Sequence, residues 1–225
     1  LSTSDSKELE PNGAPKIYVN DAEISTTAAL INVNKQVNPS NKIGFTVDTY
    51  SKDSDIVRSS GNLSTGWYDY TKQESDVNQT KNRYIFSWEH DPFEPTTFVD
   101  NIKAKIYYQD FETKDKWNEF QAEKAMPAWM GGFGLLNEAR DVNSRYKLED
   151  DSYGLDLQVA STFDNHLLTY GIDYSLTSNS YYQDKYTITS GTKSHTYRNT
   201  EYPIKRSPDT DTVRTGIYIQ DEVDL

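Results

Sequence analysis

Histidine and tyrosine are the side chains here with the most to offer chemically, because cysteine is absent and no thiolate or disulfide chemistry is open to the chain. Only three histidines occur. His90 and His166 fall beside short turn-forming stretches and read as solvated turn residues. His195 lies in a tyrosine-rich run, and His195, Tyr197, Tyr182 and Tyr186 form a candidate ligand set, since these are side chains that can ligate a haem iron. A plain exposed histidine is the competing reading. Glu149-Asp150-Asp151 lacks the Asp-x-Asp-x-Asp-Gly order of a calcium loop and reads as a solvated bend, so no metal site is predicted. Gly-x-Ser-x-Gly, His-Glu-x-x-His and phosphate-cradling loops are missing, so the chain reads as a binding protein rather than an enzyme.

A second candidate site is apolar. AMPAWMGGFGLL at 125–136 is the most apolar segment, and Met126, Trp129, Met130, Phe133 and Leu135 sit in what reads as a long loop. The aromatic island Trp67, Tyr68 and Tyr70 lies in another. Large apolar groups left in water are a liability unless covered, and aromatic and Met side chains are what interface cores enrich, so both loops are candidate partner contacts. Packing back against neighbouring loops is the alternative.

These loops hang from strands. In 153–176, Tyr153, Leu155, Leu157 and Val159 alternate with Gly154, Asp156, Gln158 and Ala160, and Leu168, Tyr170, Ile172 and Tyr174 alternate with Thr169, Gly171 and Asp173. That is a period of two, and Asp164-Asn165 between the runs predicts a tight antiparallel hairpin. The same pattern predicts strands over 24–33, 42–48, 82–90, 102–109, 144–162 and 213–225. The strand over 144–162 is expected to run straight through the acidic triplet, carrying it beyond any apolar zone. Val159, Leu168, Tyr170, Ile172, Ile217 and Ile219 are expected on one face, and Asp156, Gln158 and Asp173 on the other.

The connections then read short at 34–41, 91–100 and 163–166, and long at 52–81, 112–143 and 177–212. Strict alternation puts every long loop at one edge of an up-and-down sheet, as in outer-membrane barrels. The whole chain agrees with a polar-lined β-protein: of 225 residues only 35% are hydrophobic, yet 13% are aromatic, which argues against disorder. No apolar run approaches 18 residues, so neither a transmembrane helix nor a signal peptide is expected, although barrel strands leave no such signal. A net charge of -12 disfavours nucleic acid, which requires a basic footprint.

The segments NRYIFSWEHDPFEPTTFVDNIKAKIYYQDFET at 82–113, SRYKLEDDSYGLDLQVAS at 144–161, HLLTYGIDYS at 166–175 and TGIYIQDEVDL at 215–225 resemble the barrel strands of TonB-dependent outer-membrane receptors, within them the haem and haemoglobin receptor group. The resemblance implies an antiparallel up-and-down transmembrane β-barrel, of which this chain supplies about seven strands with long extracellular loops. It makes residues 1–225 a segment of one barrel domain, with the family's plug domain absent. It also implies TonB-dependent uptake of haem, as transported ligand rather than catalytic cofactor, across a bacterial outer membrane. Expected partners are a haem-carrying protein such as haemoglobin, the TonB complex through the missing plug, and the lipid bilayer. A siderophore receptor, or a non-transporting surface β-domain that binds protein or glycan through Tyr-rich loops, are the alternatives.

Overall fold

A computed structural model describes residues 2–7, 20–58, 63–64, 69–92, 99–126, 128–132, 134–195, 204–205 and 207–223. The predicted 153–176 hairpin is its most regular part. β9 (Arg140–Phe163) pairs with β10 (His166–Thr189) residue for residue, from Phe163↔His166 to Arg140↔Thr189. Only Asp164 and Asn165 make the turn, and Asp164 adopts φ 51°, a left-handed conformation that Asp tolerates and a two-residue hairpin turn demands.

Extending outward from this hairpin is one antiparallel sheet. Before β9 come β1 (Ser2–Lys7), β2 (Asn20–Asn38), β3 (Asn41–Arg58), β4 (Leu63–Ser64), β5 (Asp69–His90), β6 (Asn101–Ala122), β7 (Lys124–Ala125) and β8 (Leu135–Asn137). After β10 come β11 (Thr192–His195), β12 (Ile204–Lys205) and β13 (Thr210–Val223). The path runs β1-β2-β3-β5-β6-β9-β10, and β10 then pairs with β13 on its lower part and with β12 and β11 above. Seven strands are long, as the periodicity predicts, and each is antiparallel to the last. The described sheet is open: β1 stands at one end of the path and β11 and β13 at the other, so these strands do not close the barrel expected from the sequence.

Strand lengths correct the sequence reading. The predicted loop at 52–81 is mostly strand, because β3 runs to Arg58 and β5 starts at Asp69. The predicted loop at 112–143 keeps only 123–139, and that at 177–212 loses its first part to β10 and its end to β13. The segments 59–68 and 91–100 are therefore of equal length, and the strict short-long alternation does not hold. The meander itself survives, with the turn after Asn38, the segment after His90 and the turn after Phe163 at one edge, and the other connections at the opposite edge. As predicted, β9 passes through Glu149-Asp150-Asp151 without reversal.

The sheet has almost no core. Among the described residues only Val142 and Tyr186 are buried hydrophobics, while Ser54, Ser75, Gln121, Ser144, Ser161 and Gln183 are buried polar ones. Among the described residues nothing apolar packs on the sheet's apolar face.

Candidate functional site

Because the register is fixed across seven strands, residues can be read in rows perpendicular to them. The row of Tyr174 holds Thr215, Tyr174, Leu155, Ile106, Phe86, Phe45 and Val33. One step lower, the row of Ile172 holds Ile217, Ile172, Leu157, Ala104, Trp88 and Ile43, with Lys35 at the end. Below that, Ile219, Tyr170, Val159 and Ile102 lead to His90. Above, Val213, Leu176, Tyr153, Tyr108, Tyr84, Val47 and Ile31 complete the set. These four rows lie on one face, two residues apart, and form an apolar band spanning about 20 Å along the strands.

The band is uncovered. Ile217 is 80% exposed and Ile219 73%, and Ile31, Val33, Phe45, Ile106 and Ile172 are exposed as well. Its upper border is aromatic: Tyr84 stacks on Tyr108 with centroids 6.4 Å apart, and Tyr108 tilts against Tyr153 at 4.9 Å. The Tyr108 hydroxyl donates to Asp151 Oδ1 at 3.0 Å, pointing its polar tip away from the band. Trp88 and His90 stack at 5.8 Å near the lower border.

The opposite face at the same height is polar. Lys103 and Lys42 lie 3.4 and 4.0 Å from Glu89, and Lys105, Asp156 and Asp173 share the next row. Tyrosines there lie flat over glycines. A Cβ on Gly154 would meet the Tyr107 ring at 2.0 Å, and one on Gly171 would meet Leu157 O at 2.4 Å and Tyr218 Oη at 2.5 Å. Arg83 caps Tyr107 at 4.8 Å from the ring centroid. The orientation read from the sequence holds: Val159, Leu168, Tyr170, Ile172, Ile217 and Ile219 share the apolar face, and Asp156, Gln158 and Asp173 the polar one.

Above the tyrosine row both faces become polar, and on the band's face the charges come in layers. Asp211, Asp151 and Asp110 share the first row, Glu149 and Glu112 the second, Lys147 and Lys114 the third with Asp53 further along it, and Asp184, Arg145, Lys116, Asp76 and Asp55 the fourth. Ion pairs run between the layers and within the fourth. Lys147 lies 3.0 Å from Glu112 and 2.5 Å from Glu149, and Lys116 lies 2.7 Å from Asp76. Lys114, then Lys147, hold the Glu112 carboxyl below its ordinary range, and Glu149 and Glu112 raise the Lys147 ammonium. On the other face burial pushes the Asp115 carboxyl up, against a hydrogen bond from Ser75. Sequence reading missed these layers because 112–143 and 177–212 read as loop, leaving only 144–162 on β9 as strand. The period-two Glu112-x-Lys114-x-Lys116 and Arg145-x-Lys147-x-Glu149 was the available signal.

The candidate ligand set is partly assembled. His195 on β11 is paired with Tyr186 on β10, ring centroids 5.9 Å apart, and its Nδ1 lies 3.3 Å from Asp184 Oδ1. Tyr186 is only 7% exposed: Arg145 Nη2 donates to its hydroxyl at 3.0 Å, and Lys193 Nζ sits 4.0 Å from its centroid. Tyr182, four residues before, lies under Lys205 at 5.4 Å. All three face the same side as the apolar band. Tyr197 lies outside the described residues.

The apolar loop is a small hairpin. β7 pairs with β8, Met126 N donates to Gly134 O at 3.0 Å, and a 3-10 turn at Ala128–Met130 presents Trp129, 82% exposed, with Met130 exposed beside it. Gly131, Gly132 and Gly134 hold φ of 109°, 68° and 95°, reversing the chain where a side chain would be strained. Leu135 lies in β8 and Tyr70 in β5, where it pairs with Gln121, whereas Phe133, Trp67 and Tyr68 lie outside the described residues.

Among the described residues no group of three or more His, Asp or Glu side chains could hold a metal ion, and no helix is long and apolar enough to cross a membrane. No protein-family model matches the chain, and no curated protein matches it significantly.

Proposed function

We propose that this chain is part of a transmembrane β-barrel in a bacterial outer membrane, in a receptor of the TonB-dependent type that takes up haem from a haem-carrying protein such as haemoglobin. The observation that carries the membrane reading is the apolar band. It is uncovered, one-sided, bordered by tyrosines, and it stops at the same height on neighbouring strands while the strands continue. A soluble sandwich would extend its apolar face along the whole paired length, since that face is its core. Lipid instead demands apolar groups only where it meets the barrel, and outer-membrane barrels carry an outward apolar band flanked by aromatic girdles, with a polar, wet interior. The Lys103–Glu89 pair and Asp156 and Asp173, on the other face at the band's height, fit such an interior.

The ligand rests on the family resemblance of the four barrel segments. His195, Tyr182 and Tyr186 face the band's side, which a ligand passing through the lumen does not meet, so the proposal gives them no role in haem transport. Trp129 and Met130, at the edge where the membrane reading places the outside, are the proposed contact for the haem-carrying protein.

The membrane reading is tested with spin labels at Gln158 and Ile172 of the full receptor in bilayers. Ile172 should be accessible to dissolved oxygen from lipid and Gln158 to a water-soluble relaxer; equal accessibility would overturn it. The ligand is tested by growth with this receptor as the sole iron route. Growth on haemoglobin and haem supports the proposal, and growth on ferric siderophore alone replaces haem with a siderophore.

A further inference from the structure

The layered charges pose a problem that folding alone does not solve. Like charges directly opposite one another across strands are destabilising, yet Asp110 faces Asp151, Glu112 faces Glu149, Lys114 faces Lys147 and Lys116 faces Arg145. Alternating the signs along each row would remove the repulsion. Across β6 and β9 the sequence instead stacks acidic pairs directly above the tyrosine border and basic pairs beyond them, the last flanked by Asp184 on β10 and Asp76 on β5.

The two basic pairs also frame a groove. An open depression of about 510 Å³ runs between them, with Lys114, Lys147 and Tyr182 along one wall and Lys116, Arg145 and Asp184 along the other. Lys114, Lys116, Lys147 and Arg145 stand there against Asp115, Glu149 and Asp184, leaving the lining with one net positive charge. Arg145 uses Nη2 on the Tyr186 hydroxyl and stacks 5.6 Å from that ring, and no carboxylate among the described residues forms an ion pair with it. Its remaining donors keep the fork geometry that takes a phosphate or carboxylate bidentately.

Position identifies the occupant. The groove lies on the lipid-facing side, so it meets what surrounds the barrel. Tyr182 is six residues above Leu176 on β10, about 20 Å of strand and, at a tilt of about 40°, about 15 Å of height. A phospholipid headgroup layer is only roughly 6 Å deep, and its phosphates would meet the acidic rows first. We propose that the groove binds the anionic, phosphate- or carboxylate-bearing sugar headgroup of an extended glycolipid in the outer leaflet, with Arg145 and Lys147 as its principal anchors. This assignment rests on the membrane-spanning reading.

The test uses the full receptor, purified in mild detergent from an outer membrane containing a phosphorylated glycolipid, with retained lipid per protein measured by native mass spectrometry. Arg145→Glu combined with Lys147→Glu should lower retention by about 10-fold, whereas Lys42→Glu on the opposite face should leave it unchanged. Arg145→Lys with Lys147→Arg, which keeps both charges, controls for misfolding and should retain most of the lipid. In nanodiscs the wild type should prefer the phosphorylated glycolipid to its dephosphorylated form. Equal retention by wild type and the Glu double variant, or no preference between the two lipids, would overturn the assignment while leaving the spin-label pattern intact. Tight binding of heparin without glycolipid retention would also overturn it, in favour of a soluble polyanion. A wild-type receptor with no lipid-accessible label at Ile172 would fail at the membrane reading itself.

Discussion

The lower and upper parts of β9 and β10 are joined by the same ladder, from Phe163↔His166 to Arg140↔Thr189, yet they differ in everything their side chains present. Below the tyrosine row one face is Val159, Leu157, Leu155, Tyr170, Ile172 and Tyr174. Above it the same face is Asp151, Glu149, Lys147, Arg145, Ser178 and Ser180. Backbone hydrogen bonds hold both parts alike, so strand pairing says nothing about surroundings. The face chemistry does, and it changes within one row.

The sharpest way to break that comparison is a charge in the lower part. Ile172→Arg should destabilise the receptor in bilayers by about 2–4 kcal/mol if the site lies near the midplane, read from reversible unfolding. Ser178→Arg, six residues further along β10 on the same face, should stay within about 0.5 kcal/mol. Equal costs would mean that the two parts share one environment.

Next in size is Gly171→Ala on the polar face. An added Cβ would crowd Leu157 O and Tyr218 Oη, and a cost of about 1–3 kcal/mol is expected from forced backbone and ring shifts. Tyr218→Phe combined with it should recover part of the loss; no recovery would place the strain on the backbone contact alone.

The upper part is expected to respond to pH. The Glu112 carboxyl lies below its unfolded value, so its stabilisation is present above about pH 4.3 and is lost as pH falls through the folded value. The Lys147 ammonium is raised, so its contribution is present below about pH 10.4 and is lost as pH rises through its folded value. Both are exposed pairs, and Glu112→Gln should cost at most about 1 kcal/mol at neutral pH and flatten the acid limb of the stability profile. An unchanged acid limb would remove Glu112 from the account.

Trp129→Ala should have the smallest effect on stability, within about 0.5 kcal/mol, because the side chain packs on so little. It should nonetheless weaken binding of a haem-carrying protein, measured by calorimetry on the full receptor. A lowered melting temperature with unchanged binding would make Trp129 a loop-packing residue instead.

Some of this was legible from residues alone. Alternating apolar and polar side chains over 153–176, with Asp164-Asn165 at the turn, specify a hairpin with one apolar face, because the strand period of two leaves no other way to segregate them. Seven such runs specify seven strands, and the orientation of Ile172 against Asp173 follows from parity. What the sequence could not reveal is how far the strands go. Residues such as Glu112, Lys114, Lys116 and Ser180 lie where both faces are polar, so no hydropathy contrast marks them as strand, and only the continuous backbone ladder shows that they are. The turn at Ser190-Gly191, with φ 48° and 78°, was hidden for the same reason inside a polar run. Register, too, is tertiary. Each strand by itself carries a few apolar residues at some height, and only pairing brings Tyr84, Tyr108 and Tyr153 into one row and aligns the apolar stretches into a band. The layers of like charge, and Arg145 above Tyr186 beside His195, likewise exist only across strands, because side chains far apart in the chain become neighbours when hydrogen bonding fixes which residue lies opposite which.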